Sequence, residues 1–186
     1  MREWLIRPLS VKRKAGELYG MVVTAARQPA FYGAQRVADT PEGRFELIAL
    51  HLFLLAERLT QEKPEGEELA RHLIEAFVTD MDDCMREMGV GDLTVPKRVK
   101  RAAAVFYERS GVYRDALALV TPDGSDSTDQ LSAALADALL DAQPPSAFSA
   151  EMAAYTRASH AALTQASYAD VAAGKITFAP VSLVAA

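Results

Sequence analysis

A single cysteine, Cys84, stands in the 186 residues, so no internal disulfide can form and a reducing compartment is implied. Long apolar runs are absent. The most apolar stretch, Phe45 to Leu59, is interrupted by His51, Glu57 and Arg58 and falls short of the roughly 20 residues a spanning helix needs. The segment Met1 to Leu9 has neither the apolar centre of a signal peptide nor the acid-free, Ser-rich run of a transit peptide, which predicts a cytoplasmic protein. Nor is there an excess of cations: 20 Lys and Arg face 25 Asp and Glu, and the net charge of −5 gives general nucleic-acid binding no support. The chain also lacks a Gly-rich phosphate loop, a Ser nucleophile elbow and an HExxH, and His51, His72 and His160 form no ligand spacing. The carboxylates Asp80, Asp82, Asp83 and Glu87 share one helix, but the ExxH partners of a di-iron bundle do not accompany them. No catalytic residue, metal ligand or cofactor site is therefore expected.

What the sequence does have is helical periodicity and charge sorted into blocks. Residues 1–36 carry seven cations and two acids, 62–92 ten acids and three cations, and 97–109 five cations and one acid. Residues 121–146 carry five aspartates and no Lys or Arg. The pattern predicts an all-α fold, a single globular helical domain of about six or seven helices with a short extended C-terminal tail. Its expected parts are an N-terminal arm (1–9), a helical core (10–120), an acidic and mobile connection (121–148), a C-terminal helix (149–174) and a tail (175–186).

Ser10 is placed to cap a first helix running to about Arg27, with Val11, Ala15, Leu18 and Val22 on its apolar face. Lys12, Arg13 and Lys14 fill its first turn. With Trp4 ahead of them they suit contact with an anionic membrane surface, or equally the solvated end of a packed helix. Phe31 and Tyr32 are expected to pin the following loop to the core. Asp39 or Thr40 then caps a helix with Pro41 in its first turn. Apolar nearly all round to about Gln61, that helix should be the central one, and His51 within it reads as a hydrogen-bonded core histidine.

From about Pro64 to Met88 an apolar stripe of Leu69, Leu73, Phe77, Met81, Cys84 and Met88 ends at Gly89, the usual residue of a left-handed C-cap. Asp80 falls inside that stripe and is the acid expected to be buried, hence paired. Beyond the turn a helix starts near Pro96 with Lys97, Arg98, Lys100 and Arg101 in its first turns. Cations there oppose the helix dipole, at a cost of a few tenths to about 1 kcal/mol each, which acids across the turn or a negatively charged partner would offset. Arg98 projects nearest the core edge and is the expected ion-pair partner of Asp80. Lys97, Lys100 and Arg101 lie opposite Val99, Ala102, Ala103 and Phe106 and read as a solvated face or as a contact surface. Tyr107 is expected half-buried, and Gly111 is a candidate break. A short helix, about Thr128 to Asp141, and an alanine-rich one, about Ser149 to Ala173, complete the chain.

Several ordered motifs around this turn resemble a known family. They are Asp80-Met81-Asp82, Arg86 to Leu93, Val95-Pro96-Lys97-Arg98 and Ala104 to Tyr107, preceded by Ala26 to Tyr32 and Asp39 to Leu47. Together they are similar to the ubiquinol–cytochrome c chaperone family, the assembly factors of the cytochrome bc1 complex. The likeness runs from about Leu18 to Leu119. It departs at Ala38, where the family has a proline, and past Thr121, where a basic, Asn-containing element is missing. The resemblance implies a chaperone, not an enzyme, that binds newly made cytochrome b until haem insertion and acts at the membrane face without spanning it. The expected setting is the bacterial cytoplasm, peripheral to the inner membrane. A small partner protein or the ribosome is implied by eukaryotic relatives only. Lys97, Lys100 and Arg101 become the expected contact for an acidic loop of the client or for anionic lipid beside it. A lipid-binding helical module without a bc1 role is the alternative.

Overall fold

The computed structural model describes residues 3–119, 128–141 and 144–181, with side chains from Ser10 onward. Seven helices lie among the described residues: α1 Glu3–Ala26, α2 Pro41–Thr60, α3 Glu65–Glu87, α4 Val95–Ala118, α5 Thr128–Leu139, α6 Ala147–Gln165 and α7 Tyr168–Ala172. A 3₁₀ turn, Pro29–Phe31, follows α1. The all-α expectation holds.

α2 is the centre because its apolar residues leave no polar side. Leu47, Leu50, Leu52, Leu54, Leu55 and Leu59 are wholly buried, each stabilising by about 1.5–3 kcal/mol. α1, α3, α4, α5 and α6 all pack on it. Its start follows local rules: the Thr40 hydroxyl accepts from the Gly43 N–H, and Pro41 opens the helix. The loop before it is pinned as expected. Phe31 is buried edge-on to His51 and Tyr155, and the Tyr32 hydroxyl donates to the Ala26 carbonyl at 2.9 Å.

His51 is fully buried and satisfied on both sides. Its Nδ1–H donates to the Leu47 carbonyl, which can only accept, so Nε2 accepts from the Tyr155 hydroxyl; both distances are 2.7 Å. Phe178 of the C-terminal segment caps the ring edge-on. The segment continues as non-helical chain, and the Ala179 N–H donates to the Ser159 hydroxyl.

α2 and α3 form an antiparallel hairpin so tight that a Cβ on Gly66 would sit 2.1 Å from the Leu59 carbonyl oxygen. α1 runs beside α3 in the same direction. Tyr19 meets Phe77 and Asp80, and the charge of Arg27, just past the end of α1, acts on Cys84. The basic start of α1 therefore lies toward the opposite end of the bundle from the start of α4.

Four boundaries differ from expectation. α1 begins at Glu3, so Ser10 lies inside it and residues 3–9 are helix, not an arm. α4 continues through Gly111, since the loss of about 1 kcal/mol for a helical glycine is outweighed by burial of Phe106, Tyr113 and Ala116 on either side. The expected single C-terminal helix is two. Arg58, buried on α2, donates from Nε and Nη2 to the Ala166 carbonyl, where the chain turns extended before Ser167 caps α7. α6 itself starts earlier than expected, on a reciprocal capping box between Ser146 and Ser149. Of the acidic connection, 128–141 includes helix α5, while 120–127 and 142–143, with the mobility expected there, lie outside the described residues.

Candidate functional site

The turn between α3 and α4 is built from local signals. Gly89 takes φ 79°, its N–H donates to the Arg86 carbonyl and the Val90 N–H to Met85, so the left-handed cap ends α3 as its sequence requires. Val95, fully buried, anchors the start of α4 with Pro96 beside it. Arg86 donates to Asp82 Oδ2, one turn back on α3, at 2.5 Å and across the turn to Asp92 Oδ1 at 2.6 Å.

Arg86 thus takes up Asp82 and Asp92, while Asp83 and Glu87 at the same end of α3 are exposed. Lys97, Arg98, Lys100 and Arg101 are exposed with no ion pair among the described residues. They stand together at the positive end of a 24-residue helix. The expected Asp80–Arg98 pair is not formed. Asp80 is half-buried and turned toward α1, where Oδ2 accepts from the Tyr19 hydroxyl at 2.7 Å; α4 instead meets the flank of α3 that carries Phe77, through Phe106. Cys84, also half-buried, lies 4.0 Å from Asp80 Oδ1, and burial, then that carboxylate, pushes its thiol pKa up.

Apolar groups absent from the sequence-based site lie around the cations. Leu93 at the turn is 99% exposed, Met88 59%, Tyr107 60% and Val112 44%. The periodicity had placed Met88 in the core stripe and Tyr107 at half burial; instead Met88 falls at the capping end of α3, past the reach of its neighbours. For Tyr107 the available signal was its spacing of seven residues from Lys100, which sets both on one helix face. Lys12, Arg13 and Lys14 are exposed on α1; the side chain of Trp4 lies outside the described residues.

Elsewhere the polar contacts are structural. Glu46 on α2, Arg109 on α4 and Asp137 on α5 form a chain of ion pairs, Arg109 Nε lying 3.5 Å from Glu46 Oε2 and Nη1 bonded to Asp137. Burial raises the Glu46 carboxyl pKa, with Arg109 opposing. A cavity of about 410 Å³ lined by Arg36, Leu139, Leu140 and Asp141 among others offers no nucleophile held by a base. Among the described residues no cluster of His, Cys, Asp and Glu could hold a metal ion, and no helix is long and apolar enough to cross a membrane.

The family model described as Ubiquinol-cytochrome C chaperone matches residues 34–178. The chain belongs to this family. The match reaches well past Leu119, where the resemblance was expected to end, and takes in α5, α6 and α7. A solved structure, described as the crystal structure of the Cbp3 homolog from Brucella abortus, is similar over the whole of both chains, with 34% identity and a TM-score of 0.83. No curated protein matches. Family membership makes the chain a chaperone of ubiquinol–cytochrome c reductase assembly, and a client protein its partner.

Proposed function

We propose that this chain binds newly made cytochrome b and holds it during bc1 assembly, with Lys97, Lys100 and Arg101 contacting an acidic loop of the client. The observation that carries this reading is the cluster of cations at the wrong end of a helix dipole, left without acids of their own and flanked by the exposed Leu93 and Tyr107. Uncompensated charge beside exposed apolar area fits a surface completed by a partner.

The contact is tested by reversing Lys97, Lys100 and Arg101 to Glu. All three are exposed, so helicity and melting should change little, while capture of cytochrome b weakens and wild-type capture falls with salt. Full capture by the triple variant at low ionic strength would reduce the patch to a solvated face. The role itself is tested by deleting the gene and recording bc1 spectra and cytochrome b levels, where normal assembly would remove the proposal.

A peripheral position at the inner face of a bacterial membrane belongs to the same reading, and the exposed Lys12, Arg13 and Lys14 favour it. Flotation with anionic liposomes, lost on reversing these three, supports it. Flotation without any cytochrome b capture would favour a lipid-binding module instead. Association with a small partner protein or the ribosome rests on family likeness alone.

A further inference from the structure

The outer face of α4 carries both halves of a charge pattern. At about 100° per residue, Lys97, Lys100, Arg101, Ala104, Glu108, Gly111, Val112 and Asp115 share one side of the helix, with Tyr107 at its edge. All are exposed except the half-buried Gly111. Cations occupy the first turns and the acids Glu108 and Asp115 the later ones, and none of these five has an ion pair among the described residues. Between them lie small and apolar groups. Ala104 adds little bulk, a Cβ on Gly111 would meet nothing within 4 Å, and Tyr107 and Val112 are 60% and 44% exposed. Leu93 before the helix and Leu119 after it are exposed as well.

A face with cations at one end and acids at the other complements itself when reversed. We propose that this face of α4 pairs antiparallel with the same face of a second copy of the chain, about a two-fold axis near Phe106. That register sets Lys97 against Asp115 of the second copy, Lys100 and Arg101 against its turn from Glu108 to Val112, and Leu93 against its Leu119. Each contact occurs twice, as an isologous interface requires. The small residues let the helices approach to the usual 8–10 Å or so. An anionic membrane fits the face less well, because Glu108 and Asp115 would be repelled by it. A single helix pair buries less than the roughly 1,200 Å² at the lower end of a standard interface, so association is weak and depends on concentration. The proposal goes beyond the client reading, although both use Lys97, Lys100 and Arg101.

The test is sedimentation equilibrium of the full chain from low to high micromolar concentration, with two charge-swapped variants. One carries Lys97→Glu, Lys100→Glu and Arg101→Glu; the other carries Glu108→Lys and Asp115→Lys. Both move charge in the direction the helix dipole favours, so neither should unfold α4, and circular dichroism checks this. The wild type should rise from its monomer mass of 20.1 kDa toward twice that value, less so in high salt. Each variant alone should remain monomeric, and an equal mixture should associate at least as well as wild type, because every repulsion in the homodimers becomes an attraction. A wild type that stays at monomer mass throughout, or association unaltered by either swap, overturns the proposal. So does a mixture that fails to associate. The acid-swapped variant separates the two readings, since it should lose self-association and keep cytochrome b capture. Loss of capture with self-association intact would instead count against both the cation contact for the client and this interface.

Discussion

Removing the carboxylate of Asp80 tests how α1 is held on α3. The Tyr19 hydroxyl donates to Asp80 at 2.7 Å while its ring packs edge-on against Phe77, and Tyr19 is 8% exposed. A hydrogen bond to a charged group contributes about 1.5–3 kcal/mol, but Asp80 is only half-buried and keeps water on one side. The low end applies. Tyr19→Phe, which keeps the ring and frees a carboxylate that water can reach, should cost about 1 kcal/mol. Asp80→Ala strands the phenol and should cost about 1–2 kcal/mol, and Asp80→Asn less, because an acceptor remains. In a double-mutant cycle the two sites should couple by about 1 kcal/mol.

Urea unfolding of the four proteins measures these terms, with melting shifts of about 2–4 °C per kcal/mol expected for a chain of this size. A cost of about 3–5 kcal/mol for Asp80→Ala, matched by Arg98→Ala, would be the mark of a buried ion pair and would refute the Tyr19 assignment. Purely additive losses would refute it too. The pH response supplies a second check. Burial first, and then the bond to Asp80, raise the Tyr19 phenol above its ordinary 10.0. Its contribution is present below that value and lost as pH rises beyond it, so the alkaline decline should be shallower in Tyr19→Phe.

On the acid side, burial lowers the His51 pKa from 6.5 to about 4, so its contribution is present above 6.5 and disappears as pH falls through about 4. The loss amounts to about 3 kcal/mol, and it should appear as a narrowing of the stability difference between wild type and His51→Gln as pH falls across that range in melting scans; Glu46, raised by burial, acts in the opposite sense but is common to both proteins and cancels from that difference. Arg109→Met leaves Glu46 buried without its cation, and because Arg109 is 23% exposed the expected cost falls below that of a fully buried pair, at about 2–3 kcal/mol by urea unfolding. Gly66→Ala drives a methyl into the Leu59 carbonyl and should destabilise by about 2 kcal/mol or more, whereas Gly16→Ala, whose new Cβ meets nothing within 4 Å inside α1, should stabilise by about 0.5–1 kcal/mol. Equal melting temperatures for these two glycine variants would contradict the packing described.

Where the chain obeyed nearest-neighbour rules, its fold was legible. Thr40 with Pro41, and Gly89 after Met88, mark helix ends through groups a few residues apart, and α2 announced itself as central by lacking a polar side. His51 was placed in the core by the same reasoning, but its second partner, Tyr155, lies 104 residues away and no local pattern names it. The division of the C-terminal helix has a similar origin. Ser167, with Asp170 three residues on, is a local signal for a new helix start that the apolar pattern masked, but the guanidinium that holds the Ala166 carbonyl comes from Arg58, 108 residues earlier. Gly111 erred in the other direction, because a local weakness was overridden by burial of Phe106 and Tyr113.

The candidate site divides along the same line, and this explains which of its residues could be read. Helical spacing assigns a side chain to a face but not to the neighbour that covers the face. Asp80 was thus correctly set within the stripe and wrongly joined to Arg98, when the covering helix was α1, 61 residues back. For Lys97, Lys100 and Arg101 the informative feature was a cost and not a contact: cations gathered where the dipole opposes them. Inside a fold such a cost is ordinarily offset by nearby acids. Here Asp82 and Asp92 are bound to Arg86 and none of the three cations forms an ion pair among the described residues, while Leu93 and Tyr107 stand exposed beside them. Cations gathered against the dipole, with no ion pair of their own among the described residues and exposed apolar groups beside them, fit a surface completed by a second molecule, and reversing their charge decides between such a surface and a solvated face.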